Sequence, residues 1–217
     1  MPTTTIENYV KEIFLVEQDI PDRPVPMGAV AKALSVVPGT ATTMVKSMAK
    51  ENLLDYRPRV GVNLTEEGRQ LAIRMLRRHR LIEVFLVEVL HLDWGEIHQD
   101  AEELEHVVSD RILDRIDELC NYPEFDPHGD PIPTKDGIYK QITHKSLMDC
   151  PLNKDLKIQR ILDQEAAFLK FAMDNGLTPG ASIKVTHRSS IAGAVSVVNQ
   201  NGEMSLGIKV AEKVWVA

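Results

Sequence analysis

Three imidazoles and a run of carboxylates recur at helical spacing in the middle of the chain. Residues 98–106 read H-Q-D-A-E-E-L-E-H, and residues 79–83 read H-R-L-I-E. On a helix turning about 100° per residue, His98, Glu102, Glu105 and His106 fall within an arc of about 100°. His79 and Glu83, four positions apart, form a second imidazole–carboxylate pair on the preceding helix. Oxygen and imidazole donors are the ligand set of a divalent cation such as Mn(II) or Fe(II). A single His–Glu pair at this spacing reads as a surface ion pair. Six such groups on two helices favour metal sites, pooled if the helices run antiparallel.

The charge distribution agrees. Residues 83–130 hold 2 Lys+Arg against 15 Asp+Glu, a net −13, inside a chain whose total is −7. Residues 1–82 hold 12 against 9, and residues 131–217 hold 11 against 8, each a net +3. A mildly basic head beside an acidic middle calls for different partners, polyanion for one and cations for the other. The plainer use of an acidic block is a solvated helix face.

Two further observations bound the class. No apolar run approaches the roughly 20 residues that cross a bilayer, and the N-terminus, M-P-T-T-T-I-E-N-Y-V, shows no secretory pattern. The cysteines, Cys120 and Cys150, form no C-x-x-C pair or disulfide framework. The expectation is a cytoplasmic protein with no membrane partner.

The elements that must position these groups follow from patterning. In 6–18, Ile6, Tyr9, Val10, Ile13 and Phe14 share a helical face. Residues 26–35 form a short helix, V-V-P-G makes a turn, and T-A-T-T-M-V-K-S-M-A-K-E-N forms another helix burying Met44, Val45, Met48 and Ala49. L-L-D-Y-R-P-R-V-G-V-N-L-T then reads as two short strands with Arg57 and Arg59 at the tip. This order is that of a winged helix-turn-helix for double-stranded DNA. Thr40, Thr42 and Thr43 would reach base edges or a thymine methyl, while Lys46, Lys50, Arg57 and Arg59 meet phosphate. The segment P-E-F-D-P-H-G-D-P-I-P-T-K-D-G (123–137) cannot continue a helix and reads as a linker or extended connection. After Gly176, short β-rich runs separated by turn signals suggest a small barrel. The expected fold is mainly α with small β elements. A winged helix occupies 1–75, a helical metal-binding and dimerisation part with its Pro-rich linker 76–137, and an SH3-like barrel 138–217.

H-R-L-I-E at 79–83, I-H-Q-D-A-E-E-L-E-H-V-V-S-D at 97–110 and P-H-G-D-P-I-P at 127–133 together resemble the diphtheria toxin repressor family of metal-dependent transcriptional regulators. The resemblance covers the whole chain. It implies a homodimer that a divalent metal activates to bind an operator, often repressing metal-uptake genes.

By the same resemblance, one metal site uses Glu102, Glu105 and His106 with a first-helix residue, here Asn8. An ancillary site uses His79, Glu83 and His98 with Glu165 from the third domain. At the position of Asn8 the family carries Met or Asp. A further acidic first-helix position of the manganese branch is Lys11, and the family's third-domain glutamine falls near Phe168. The iron branch has cysteine where this chain has Glu102, so the resemblance implies Mn(II), with Fe(II) the alternative and other divalent ions binding in vitro. A ligand drawn from the first helix would tie the DNA-binding head to the metal. The apolar residues Val107, Ile112, Leu113, Ile116 and Leu119 serve either a second protomer or the intrachain core.

Two other classes compete. Glu103-x-x-His106 matches the unit of di-metal carboxylate bundles, but such bundles need the motif twice and it occurs once. With no Gly-rich phosphate loop or nucleophile arrangement either, the expectation is not an enzyme. A winged-helix regulator answering to an organic ligand, with a merely solvated acidic face, would bind DNA equally after chelation.

Overall fold

A computed structural model describes residues 2–140 and 143–217. They divide into two compact units, the chain up to His79 with Pro133–Tyr139, and Arg80–Ile132 with Lys140–Ala217.

The first unit is built by α1 (Thr4–Asp19), α2 (Met27–Ala33), α3 (Pro38–Lys50), the hairpin β1 (Leu54–Arg57) and β2 (Gly61–Leu64), and the start of α4 (Glu66–Glu88). Thr3 caps α1, its hydroxyl accepting from the Ile6 amide at 3.4 Å. Ile6, Tyr9, Val10, Ile13 and Phe14 then bury one stripe against Ala41, Val45 and Met48 of α3 and Val62 of β2. Pro38 stands in the first turn of α3 rather than in the turn before it. A proline lacks only an N–H that this turn would leave unpaired, so the helix starts earlier than the V-V-P-G reading places it. The hairpin pairs Leu54 with Leu64 and Arg57 with Gly61, which sets Arg57 and Arg59 at the tip.

The second unit takes the rest of α4, then α5 (Ile97–Leu104) and α6 (Asp110–Leu119). Leu81, Ile82, Val84 and Leu86 pack against Ile97, Ala101, Leu113 and Ile116. The acidic stretch that reads as one helical face from His98 to His106 is only partly helical, because α5 closes at Leu104. Glu105 remains αR at φ −58°, ψ −26°, and the chain tightens as Val107 and Val108 both donate to Leu104. Ser109 then caps α6, its hydroxyl accepting from Ile112.

The same unit holds an antiparallel six-stranded sheet ordered β3-β8-β4-β5-β6-β7, with α7 (Ala166–Asp174) and α8 (Ile208–Ala211). The strands are β3 (Lys145–Ser146), β4 (Leu156–Ile161), β5 (Ser182–Ser189), β6 (Ala194–Asn199), β7 (Gly202–Gly207) and β8 (Val214–Val216). Alternation buries Ile183 and Val185, then Val195 and Val197, on one face. The β-rich reading after Gly176 is found as β5 to β8, and β3 and β4 add two strands upstream of it. No helix among the described residues is long and apolar enough to cross a membrane.

The proline-rich segment is irregular yet buried at Asp126, His128, Asp130 and Ile132. Gly129 holds it there. Its φ is +88°, and a Cβ would lie 1.8 Å from the Gln159 carbonyl oxygen.

A candidate metal centre and a candidate DNA-reading surface

Glu83 is the hub of the donor groups in the second unit. Its side chain is fully buried on α4, and its two oxygens face different imidazoles. Oε1 lies 3.5 Å from His98 Nδ1, and Oε2 lies 3.7 Å from His128 Nδ1. On its other edge, His98 sets Nε2 3.9 Å from Glu102 Oε1, one turn along α5. Glu105 is buried in the turn after α5, 3.5 Å from His106 Nε2. His79 is also buried and stands one turn before Glu83 on α4. Glu165, exposed at the start of α7, lines with His98 a cavity of about 340 Å³ completed by Leu162, Asp163, Gln164 and Lys213.

Sequence reasoning missed a third set of donors. Glu83, Asp126 and His128, all buried, offer ligand atoms within 4.8 Å of one another. His128 is fixed by stacking on Trp94, ring centroids 5.4 Å apart, and by its Nε2, 3.2 Å from the Trp94 carbonyl oxygen. A carbonyl only accepts, so Nε2 carries the proton and Nδ1 is left to face Glu83. Asp126 Oδ1 accepts from the amides of His128 and Asp130, each at 2.9 Å, which shapes the loop. The P-H-G-D-P stretch was legible as a connection and as part of the motif set that carries the resemblance, but its residues were not read as metal donors.

Burial dominates the electrostatics here. It pushes the Asp126 carboxyl up to about 7, helped by the charges of Asp130 and Glu83 and opposed by Arg80 and His128. For His128, burial opposes the charged form, but the neighbouring carboxylates of Glu83 and Asp126 outweigh it and raise the pKa. Arg80 answers part of this acidity, donating to Asp130 at 3.1 Å and lying 3.5 Å from Asp126. The donors are all nitrogen and oxygen. Neither cysteine belongs to these groups among the described residues, and burial lifts the Cys120 thiol to about 11. Buried carboxylates interleaved with imidazoles fit a hard or borderline divalent cation.

In the first unit, Thr40, Thr43, Lys46 and Lys50 are exposed on α3, while Thr42 is half-buried. Arg57 and Arg59 are exposed on the hairpin, Arg59 at φ +67°. Asn8 is half-buried on α1, and its Oδ1 is buried with no hydrogen-bond partner among the described residues. An orphaned amide oxygen is the state expected of a group meant for another ligand. Lys11, also on α1, is buried.

Family models agree with both regions. The N-terminal DNA-binding domain of the iron dependent repressors matches residues 1–62, their metal binding and dimerisation domain 65–134, and a FeoA domain 145–217. The HTH-type transcriptional regulator MntR of Oceanobacillus iheyensis is 37% identical over 123 residues, 56% of this chain and 81% of that one. This chain belongs to the iron-dependent (diphtheria toxin) repressor family. Its members are metal-dependent transcriptional repressors, and the winged helix, helical dimerisation part and SH3-like sheet are the family architecture. The iron-dependent repressor IdeR of Mycobacterium bovis is 36% identical over 130 residues, 59% of this chain and 55% of its own. A solved manganese-dependent transcriptional repressor in complex with manganese superposes with a TM-score of 0.88 at 34% identity, covering 98% of this chain and 99% of that one. The chain is therefore a regulator built on divalent-metal chemistry, which is where the helical spacing pointed.

Proposed function

We propose that this repressor is activated by Mn(II) and binds operator DNA as a cytoplasmic homodimer, controlling metal-uptake genes. The observation that carries the metal is the thiol-free donor set around Glu83, to which the resemblance adds that Glu102 stands where the iron branch carries cysteine. The likeness to a manganese-dependent repressor supports it. Fe(II) is the second reading, favoured by the likeness to IdeR.

Two ligand sets are proposed. Glu102, Glu105 and His106 form the first, to which Asn8 is assigned by the resemblance and its orphaned oxygen. Glu83 and His98 form the second with His79 and Glu165, and Asp126 and His128 extend it. A bound cation supplies positive charge that compensates the buried carboxylates. The protein's part is to hold Glu83 between two imidazoles and to keep His128 in one tautomer. Activation follows if the DNA-competent arrangement binds the cation better than the other, by the ratio of the two affinities. Leu113 and Ile116 are used by the intrachain core, whereas Val107, Ile112 and Leu119 are exposed, the last two of them on α6. We assign these three to the homodimer interface. For the operator, α3 reads bases while Arg57 and Arg59 meet phosphate, in the three-part division 1–75, 76–137 and 138–217.

The test is titration of Mn(II), Fe(II) and Zn(II) into metal-free protein while following binding to the promoter of its own or a neighbouring transporter gene. Glu102→Ala and His106→Ala are expected to lose the metal response, with affinity for the cation down at least about tenfold and the fold retained by circular dichroism. Full metal-activated binding by either variant would refute the first ligand set. Tight promoter binding by demetallated wild type would refute the whole reading.

A further inference from the structure

Three large apolar side chains of the second unit stay partly in water around one hollow. Leu92 and Phe125 are 42% exposed and Met173 is 41% exposed. A single exposed apolar residue needs no explanation, but here three from separate elements converge. Leu92 lies in the connection after α4, Phe125 in the proline-rich loop and Met173 on α7. With Trp94 they line a cavity of about 400 Å³. That is the size of a small-molecule site, about 300–1,000 Å³. Its walls are held by backbone. The Leu92 amide donates to the Leu86 carbonyl at 3.0 Å, and an antiparallel bridge joins Phe125 to Pro131. A ligand entering a wall that is already fixed spends little on ordering it.

The charges around the cavity have one sign. Glu88, Asp93 and Asp126 line it, and no Lys or Arg does so among the described residues. Asp126 has Arg80 Nε 3.5 Å away. Glu88 and Asp93 are exposed and belong to none of the metal-donor groups among the described residues, so they set the sign. The rings of Trp94 and Phe125 also attract cations.

Trp94 adds an independent observation. It is 8% exposed, and its indole N–H is buried with no hydrogen-bond partner among the described residues. One face of the ring stacks on His128. A buried donor without an acceptor is costly, and an acceptor on a ligand relieves that cost.

We propose that this cavity binds a compact organic cation with an apolar body and an oxygen acceptor. The ammonium group sits with Glu88 and Asp93, the body packs on Leu92, Phe125 and Met173, and the oxygen accepts from Trp94. The site is independent of which metal the protein senses.

The experiment is isothermal titration calorimetry of full-length protein in excess Mn(II), with phenoxyethylammonium as the probe. Phenylpropylammonium lacks its oxygen, phenoxyethanol its charge and methylammonium its apolar body. The probe should bind about fivefold more tightly than phenoxyethanol. It should also bind about fivefold more tightly than phenylpropylammonium. Methylammonium should give no binding heat. Glu88→Lys and Met173→Lys, both at exposed positions, should each weaken the probe at least about tenfold, with the thermal midpoint unchanged. Equal binding of probe and alcohol overturns the cation, and equal binding of the two arylalkylammoniums overturns the role of Trp94. Methylammonium binding as tightly as the probe reduces the site to bare acidity and overturns the cavity. Undiminished binding by both lysine variants, or no heat from the probe at about 10 mM, overturns the site itself.

Discussion

Replacing Asp126 with asparagine should remove much of a pH dependence carried by the metal-free protein. Burial, followed by the charges of Asp130 and Glu83, pushes this carboxyl from 3.8 to about 7. The folded state therefore holds the proton more tightly than the unfolded state. Its contribution to stability is fully present below about pH 4 and is lost as pH rises through about 7. A shift of about 3 units corresponds to about 4 kcal/mol at most, and relaxation of the site brings the expected change nearer 2 kcal/mol. His128 shifts the same way, its pKa raised above 6.5, so its loss adds to that of Asp126 as pH rises. Urea denaturation of chelator-treated wild type at pH 5, 6, 7 and 8 should show falling stability. Asp126→Asn should show a slope shallower by about 2 kcal/mol across that range. Parallel curves, agreeing within about 0.5 kcal/mol, would refute the placement of a buried acid with a raised pKa beside Glu83. Mn(II) added at pH 8 should recover the wild type by mass action.

The other predictions concern surfaces. Ile112→Asp with Leu119→Asp places charge on the exposed face of α6, and should yield monomers by sedimentation velocity while circular dichroism stays unchanged. A dimer that persists would reassign that face. Arg59→Ala should weaken specific and random duplex alike and lower the slope of log affinity against log salt by about 1, read by fluorescence anisotropy at several salt concentrations. A loss confined to the specific duplex would mean that Arg59 reads bases.

Much of the architecture was legible because it is written in periodicity. The apolar stripe of α1 and the alternation in β5 and β6 declare which face is buried, so helix and strand follow directly. The hairpin was legible from R-P-R-V-G between two apolar runs, and Gly61 pairs with Arg57 there. Less legible was anything set by tertiary context. That α5 stops at Leu104, carrying Glu105 and His106 into a turn, depends on where Ser109 starts the next helix. The role of 126–130 was hidden further, since proline and glycine advertise irregular backbone and say nothing about depth. Only the packing shows that Gly129 seats against Gln159 and that His128 is thereby buried beside Glu83.

That burial changes what the acidic middle of the chain is for. A net −13 over residues 83–130 would cost little if every carboxylate faced water. Glu83, Glu105 and Asp126 do not face water. Arg80 is a permanent cation beside Asp126 and Asp130, while His98 and His128 lie against the two oxygens of Glu83. A neutral imidazole is a good metal ligand. On the metal-site reading proposed above, a cation bound among Glu83, His98 and His128 would add positive charge beside these buried carboxylates and would stabilise the unit according to its occupancy, which is the form of coupling a sensor needs.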